Sequence, residues 1–166
     1  VKIVWGIDPG TTRVGIAVFS VAGESVRLLE ALLIDLTDTE IKGRLSTIAE
    51  TTSFLMDIYP PDEVGLEKLI WGRNVTTALE VSEIRGVLKY LFYQRSTHIL
   101  ECLPKVVKSS VGAGMFGKGK GAVRDAVIHI HSEEIGAARV PWHAIIDDVI
   151  DAVAIGLAVI DGVCES

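Results

Sequence analysis

Four carboxylates, spread along the chain in apolar surroundings, are the residues best equipped for chemistry. Asp8 lies in Gly6-Ile7-Asp8-Pro9-Gly10, Glu67 in Val64-Gly65-Leu66-Glu67, and Asp148 and Asp151 in Asp148-Val149-Ile150-Asp151-Ala152. An ionised group in such sequence, left unpaired, costs several kcal/mol or is neutralised by protonation. Convergence on divalent cations removes that cost. Hard cations such as Mg²⁺ take carboxylate oxygens, and a pair of them can run phosphoryl transfer at a phosphodiester. The acids therefore predict a metal-dependent nuclease.

Acids so far apart in sequence need elements that bring them together. Val1 to Ile7 is an apolar run closed by Pro9-Gly10, which predicts a buried strand and a turn. Val14 to Phe19 predicts a second strand, and Ala22-Gly23-Glu24 turns it into a third, Val26 to Leu36. These three form an antiparallel meander. Asp38-Thr39-Glu40 offers a helix start, and Ile41, Leu45, Ile48, Leu55 and Ile58 follow at helical spacing until Pro60-Pro61. Val64 to Leu69 reads as a fourth strand. Asn74 is an N-cap candidate for a helix to Gln94, with Ala78, Val81, Ile84, Leu88 and Leu91 on its apolar stripe. His98 to Leu103 reads as a fifth strand, and Pro104 opens a short helix through Lys108. Gly112 to Gly121 predicts a flexible loop, Ala122 to Ile135 a third long helix, and Ile146 to Val163 a last one. The expected fold class is α/β, a five-stranded mixed sheet flanked by helices in a single domain over residues 1–166.

Asp148 and Asp151 are three residues apart and share one helix face; Asp147, four before Asp151, is the rival partner. Asp8 and Glu67 each end a strand. If those strands are neighbours their tips meet, and the last helix can lay its acids across them. Taken singly, Asp8 reads equally well as a turn residue and Asp148 as a charge at a helix N-terminus. Four such acids sharing an innocent explanation is much rarer.

The net charge of −6 counts against a nucleic-acid partner, but metal-holding acids weigh on that total. Lys105, Lys108, Lys118 and Lys120 form a local basic patch with no acid between them. Cys102 and Cys164 have no metal-ligand spacing, and free thiols in a reducing cytosol are expected. Neither a signal peptide nor a membrane span is expected, which leads to a cytoplasmic location.

Gly6 to Gly15, Leu66-Glu67, Ala78 to Val87, Val107-Lys108 and Asp148 to Ile155 together resemble, in order, the motifs of RuvC Holliday junction resolvases. The resemblance implies an RNase H-like fold, a homodimer and two ions of Mg²⁺, or Mn²⁺ in its place, per active site. It also implies paired nicks in opposed strands of a four-way DNA junction, and leaves open a branch-migration helicase as partner. It selects Asp148 over Asp147, because the family pair is spaced by three. Lys108 matches a lysine near the scissile phosphate and Lys120 a second one, with Lys118 as its rival. Arg73 and Asn74 fall where junction backbone contacts are expected. Ile70 stands where an aromatic wedge is common, and Trp71 beside it offers a stacking surface or a core or interface residue. The 74–94 helix, with Leu88, Leu91, Phe92 and Tyr93, is the expected dimer surface. Asp8-Pro9-Gly10-Thr11-Thr12 is also similar to the phosphate loop of actin-type ATPases, which need far more chain than 166 residues. A YqgF-like nuclease acting on RNA as a monomer and a non-catalytic junction-binding module are the remaining alternatives.

Overall fold

The computed structural model describes residues 1–70, 75–119, 121–137 and 139–166. The expectations for Trp71, Arg73, Asn74 and Lys120 fall outside these residues. The chain forms β1 (Lys2–Pro9), β2 (Arg13–Ala22), β3 (Ser25–Asp35), α1 (Ile41–Ile58), β4 (Glu63–Glu67), α2 (Val75–Gln94), β5 (His98–Cys102), α3 (Pro104–Ser110), α4 (Ala122–Ala126) and α5 (Asp147–Ile160). The strands make one sheet in the order β3-β2-β1-β4-β5. The first three are an antiparallel meander, as expected, whereas β4 and β5 run parallel to β1. β1 is therefore the central strand.

Side chains alternate between the two faces of a strand, and that alternation sorts the core. Trp5, Ile7, Ile16, Val18, Val64 and Leu66 pack with Ile48, Leu88 and Phe92 of α1 and α2. Val4, Ala17, Phe19, Leu100 and Cys102 pack on the other face, against α5 and α4. Asp8 and Glu67 fall on the α5 face, in phase with Val4 and with Cys102. α5 is apolar nearly all round, with Val149 to Val159 buried apart from Asp151, because it lies between the sheet and the α3–α4 segment.

Glycines let α5 approach the sheet backbone. A Cβ on Gly15 would stand 2.0 Å from the carbonyl oxygen of Asp148, and one on Gly6 2.1 Å from that of Ala152. No side chain fits in either gap.

Several expectations are corrected. The third long helix is short: α4 ends at Ala126, a π-helical turn spans Val127–His131, and turns follow to Gly136. β4 ends at Glu67 rather than Leu69. The glycine-rich stretch is not wholly open loop, since Ala113–Phe116 forms a 3₁₀ turn with Ala113 buried. The two cysteines are not free thiols: Cys102 and Cys164 form a disulfide, their Cα atoms 4.7 Å apart. The physical cause is a fold-back of the C-terminal tail, in which Glu165 pairs antiparallel with Glu101 at the outer edge of β5. At the opposite edge the Leu28 N–H of β3 donates to the Ile135 carbonyl at 3.0 Å.

Candidate active site

The site is built where three elements meet. β1 and β4 are parallel, with Ile7 beside Leu66, so Asp8 and Glu67 leave the sheet side by side at its carboxyl edge. That edge is where open α/β sheets place their ligands. Asp8 pairs across the meander with Gly15, the glycine that admits the first turn of α5. The tight seam thus carries Asp148 and Asp151 to the same spot.

Electrostatics register the convergence. The Asp8 carboxyl is pushed up to about 8, first by burial and then by the charges of Glu67, Asp151 and Asp148. Burial and Asp151 also raise Glu67, while Lys108 and Arg85 lower it. Asp151 is pushed up to about 6 by burial, then Asp147, with Lys108 opposing and Asp148 adding a further rise. Burial is the largest single cause at each of the three. Carboxyls so held attract cations.

Asp147 weighs on Asp151 more than Asp148 does, yet geometry separates their roles. Arg124 Nη2 holds Asp147 at 2.6 Å, and the Asp147 side chain is 65% exposed. The same guanidinium donates to the carbonyl oxygens of Trp142 and Ile145, clamping the approach to α5. Asp148 is half-buried and acts on Asp8. Both aspartates also lie in the first turn of α5, where the helix dipole favours negative charge.

Around the acids lies basic and apolar surface. A cavity of about 100 Å³ joins Glu67, Asp151 and Lys108. A wider groove of about 400 Å³ continues past Lys105, Lys108 and Lys118 along the glycine-rich loop. On the other side a groove of about 230 Å³ runs from Pro9 and Glu67 to Ile70, whose side chain is exposed.

Among the described residues no three carboxylate, imidazole or thiolate groups stand close enough to form a ready-made cation cage. The donor set still fits Mg²⁺ or Mn²⁺. All four acids offer hard oxygen, and Mg²⁺ is commonly held by one or two carboxylates together with substrate phosphates rather than by an all-protein cage.

Two arginines escaped the sequence reading. Arg124 clamps α5, and Arg85 of α2, 7% exposed, donates to the carbonyl oxygen of Glu67. Arg85 had a readable signal, since it lies four residues after Val81 and three before Leu88, inside the apolar stripe of its helix. Leu88 and Phe92, expected at a dimer surface, are instead fully buried, with Phe92 edge-on to Trp5 at 5.7 Å.

The family model of crossover junction endodeoxyribonuclease RuvC matches residues 4–159. A relative of that name from Pseudothermotoga lettingae is 35% identical over 124 residues, 74% of each chain. Another from Thermomicrobium roseum is 30% identical over 155 residues, 93% of this chain and 90% of its own. Thermus thermophilus RuvC, solved in complex with Holliday junction substrate, superposes with a TM-score of 0.80 over 99% of both chains at 21% identity. That likeness shows the fold, an RNase H-like mixed sheet with flanking helices. Ordered motifs, sheet topology and near full-length matches all lead to one place: the chain belongs to the RuvC family of crossover junction endodeoxyribonucleases.

Proposed function

We propose that Asp8, Glu67, Asp148 and Asp151 hold two divalent cations, Mg²⁺ or Mn²⁺, at which this enzyme nicks opposed strands of a four-way DNA junction. The observation that carries the reading is the Asp8 carboxyl, half-buried at the carboxyl edge of the central strand and repelled by the other three acids. When bound, such cations activate water and stabilise the leaving 3′-oxygen. The chain's own residues supply the rest. Asp8, on the central strand, is the ligand best placed to serve both ions. Lys108 stands in the cavity with Glu67 and Asp151, where its ammonium can offset charge on the phosphoryl group, an effect commonly worth about 3 kcal/mol. Lys105 and Lys118 line the groove beyond it and suit phosphates of the adjoining strand. Ile70 is proposed at the junction centre, and Lys120, Arg73, Asn74 and Trp71, which lie outside the described residues, are proposed as DNA contacts on the family motifs alone.

Two symmetric nicks need two related sites, so a homodimer is proposed. With Leu88 and Phe92 buried, the exposed large apolar residues left for its interface among those described are Val75, Leu79, Tyr90 and Tyr93 of α2 with Phe54 and Ile58 of α1. Among the described residues no helix is long and apolar enough to cross a membrane, and a DNA substrate supports a cytoplasmic location as part of the same proposal. The test is single-turnover cleavage of a four-way junction in Mg²⁺ by Glu67→Gln, Asp148→Asn and Asp151→Asn. Each should lose cleavage while junction binding, followed by gel shift, persists. Loss of binding in parallel with cleavage in all three would assign the acids to folding instead.

A further inference from the structure

Among the described residues Arg85 is the only charged side chain that the fold buries almost wholly. Its neighbours on α2 in the core are Ala78, Ile84, Leu88 and Phe92. A guanidinium in such a place is costly unless every donor is used, and an apolar residue of similar volume would pack there as well or better. Packing alone therefore does not account for it.

What it touches does. One arm of the fork, Nη1, donates to the carbonyl oxygen of Glu67. The other, Nη2, donates to Glu101 Oε1 at 2.7 Å, and Lys89, one turn further along α2, holds the same oxygen at 2.5 Å. Glu101 belongs to β5 and Glu67 is the last residue of β4, where the Lys68 N–H still donates to the Cys102 carbonyl of β5 at 2.8 Å and Arg85 takes the carbonyl of the same peptide from the α2 side. The fork is thus aimed by one strand and grips the end of the next. It fixes the backbone on which the Glu67 carboxylate is mounted, without touching that carboxylate.

We propose that Arg85 is a positioning residue, oriented by Glu101, that fixes the backbone of Glu67 so that its carboxylate meets a divalent cation in the productive geometry. The inference rests on Glu67 being a metal ligand. Lysine keeps the charge but not the planar fork, so Arg85→Lys retains at most one of the two contacts. Outer partners of metal ligands commonly contribute 10- to 100-fold in affinity or rate. Arg85→Lys should accordingly bind Mn²⁺ roughly 10-fold more weakly without DNA, measured by calorimetry, and Arg85→Gln more weakly still. In cleavage, kcat should fall by a similar factor and the Mg²⁺ requirement should rise, while KM for the junction stays put. A role confined to packing would lower thermal stability and leave the Mn²⁺ affinity of the folded protein alone.

Glu101→Gln, which keeps Arg85 on the Glu67 carbonyl but weakens its orientation, guards against a variant that does not fold. It should show the same direction with a smaller factor. Glu67→Gln is measured alongside. Wild-type Mn²⁺ affinity and cleavage in Glu67→Gln would remove the metal role of Glu67 itself. Loss of both there, with wild-type Mn²⁺ affinity and kcat in folded Arg85→Lys and Glu101→Gln, would overturn the role assigned to Arg85.

Discussion

Replacing Asp8 by Asn should stabilise the cation-free protein while abolishing cleavage, and the size of the gain can be worked from the site. The Asp8 carboxyl is pushed up to about 8 in the folded chain, against 3.8 for an ordinary aspartate. Between those values the folded state holds a proton that the unfolded state has released. Stability therefore falls as pH rises through the window, beginning near pH 4 and ending near pH 8. At 1.36 kcal/mol per pKa unit the full window corresponds to at most about 6 kcal/mol, and the part of it below pH 7 to roughly 4 kcal/mol. Asparagine is neutral in both states and has no proton to lose on unfolding. In a chelator at pH 7, Asp8→Asn should melt on the order of 10 °C above wild type. The gap should nearly close at pH 4. Adding Mg²⁺ should raise the melting temperature of wild type and not of the variant, since cation and proton compete for the same carboxylate. Denaturation at pH 4, 7 and 9 gives the answer. Parallel pH profiles for the two proteins would refute the reasoning, because they would mean that Asp8 is not held protonated by its surroundings.

Other expectations concern the framework around the acids. Gly15→Ala places a Cβ against the Asp148 carbonyl, so it should cost about 1 to 3 kcal/mol in chemical denaturation and reduce cleavage more than junction binding. Asp147→Asn should keep cleavage within a few-fold of wild type and lower stability slightly through Arg124, whereas Asp148→Asn should remove cleavage; the opposite ranking in a single-turnover assay would move the metal role to Asp147. Reducing the disulfide, or Cys164→Ser, should lower stability by no more than about 4 kcal/mol, the loop-closure value for a separation of 62 residues. Unchanged denaturation midpoints with and without reductant would show that the tail adds nothing.

Much of this architecture is legible in local pattern. Contiguous apolar runs joined by short turns mark the meander, and Pro60-Pro61 marks the end of α1. Strand-end positions of Asp8 and Glu67, with the spacing of Asp148 and Asp151, bring the candidate site close to its observed form. What stays hidden depends on contacts distant in sequence. Whether an apolar residue of α2 faces the core or solvent depends on α1 and the sheet, which is why Phe92 reads like surface and is buried. The disulfide depends on a tail that folds back across 62 residues, and spacing carries no trace of it. Arg124 looks like an ordinary helical arginine until the chain before α5 returns its carbonyls to it. The apolar run from Ala126 to Ile130 promises a long helix, but a π turn takes up part of it and the chain then turns away.

Both margins of the sheet are already engaged, β3 by the Ile135 carbonyl and β5 by Glu165. Unpaired strand margins are where sheets recruit further strands, including those of another molecule. Here neither margin is wholly free to do so. Two copies of this chain are thus discouraged from zipping into one continuous ten-stranded sheet or into the open-ended stacks that such margins seed. Self-association is left to the helical layer, whose side-chain shapes can specify a closed pair and halt there. Loss of the tail would unblock one margin, so truncation beyond Cys102's partner should be read first for new filament-like assemblies and only then for lost catalysis.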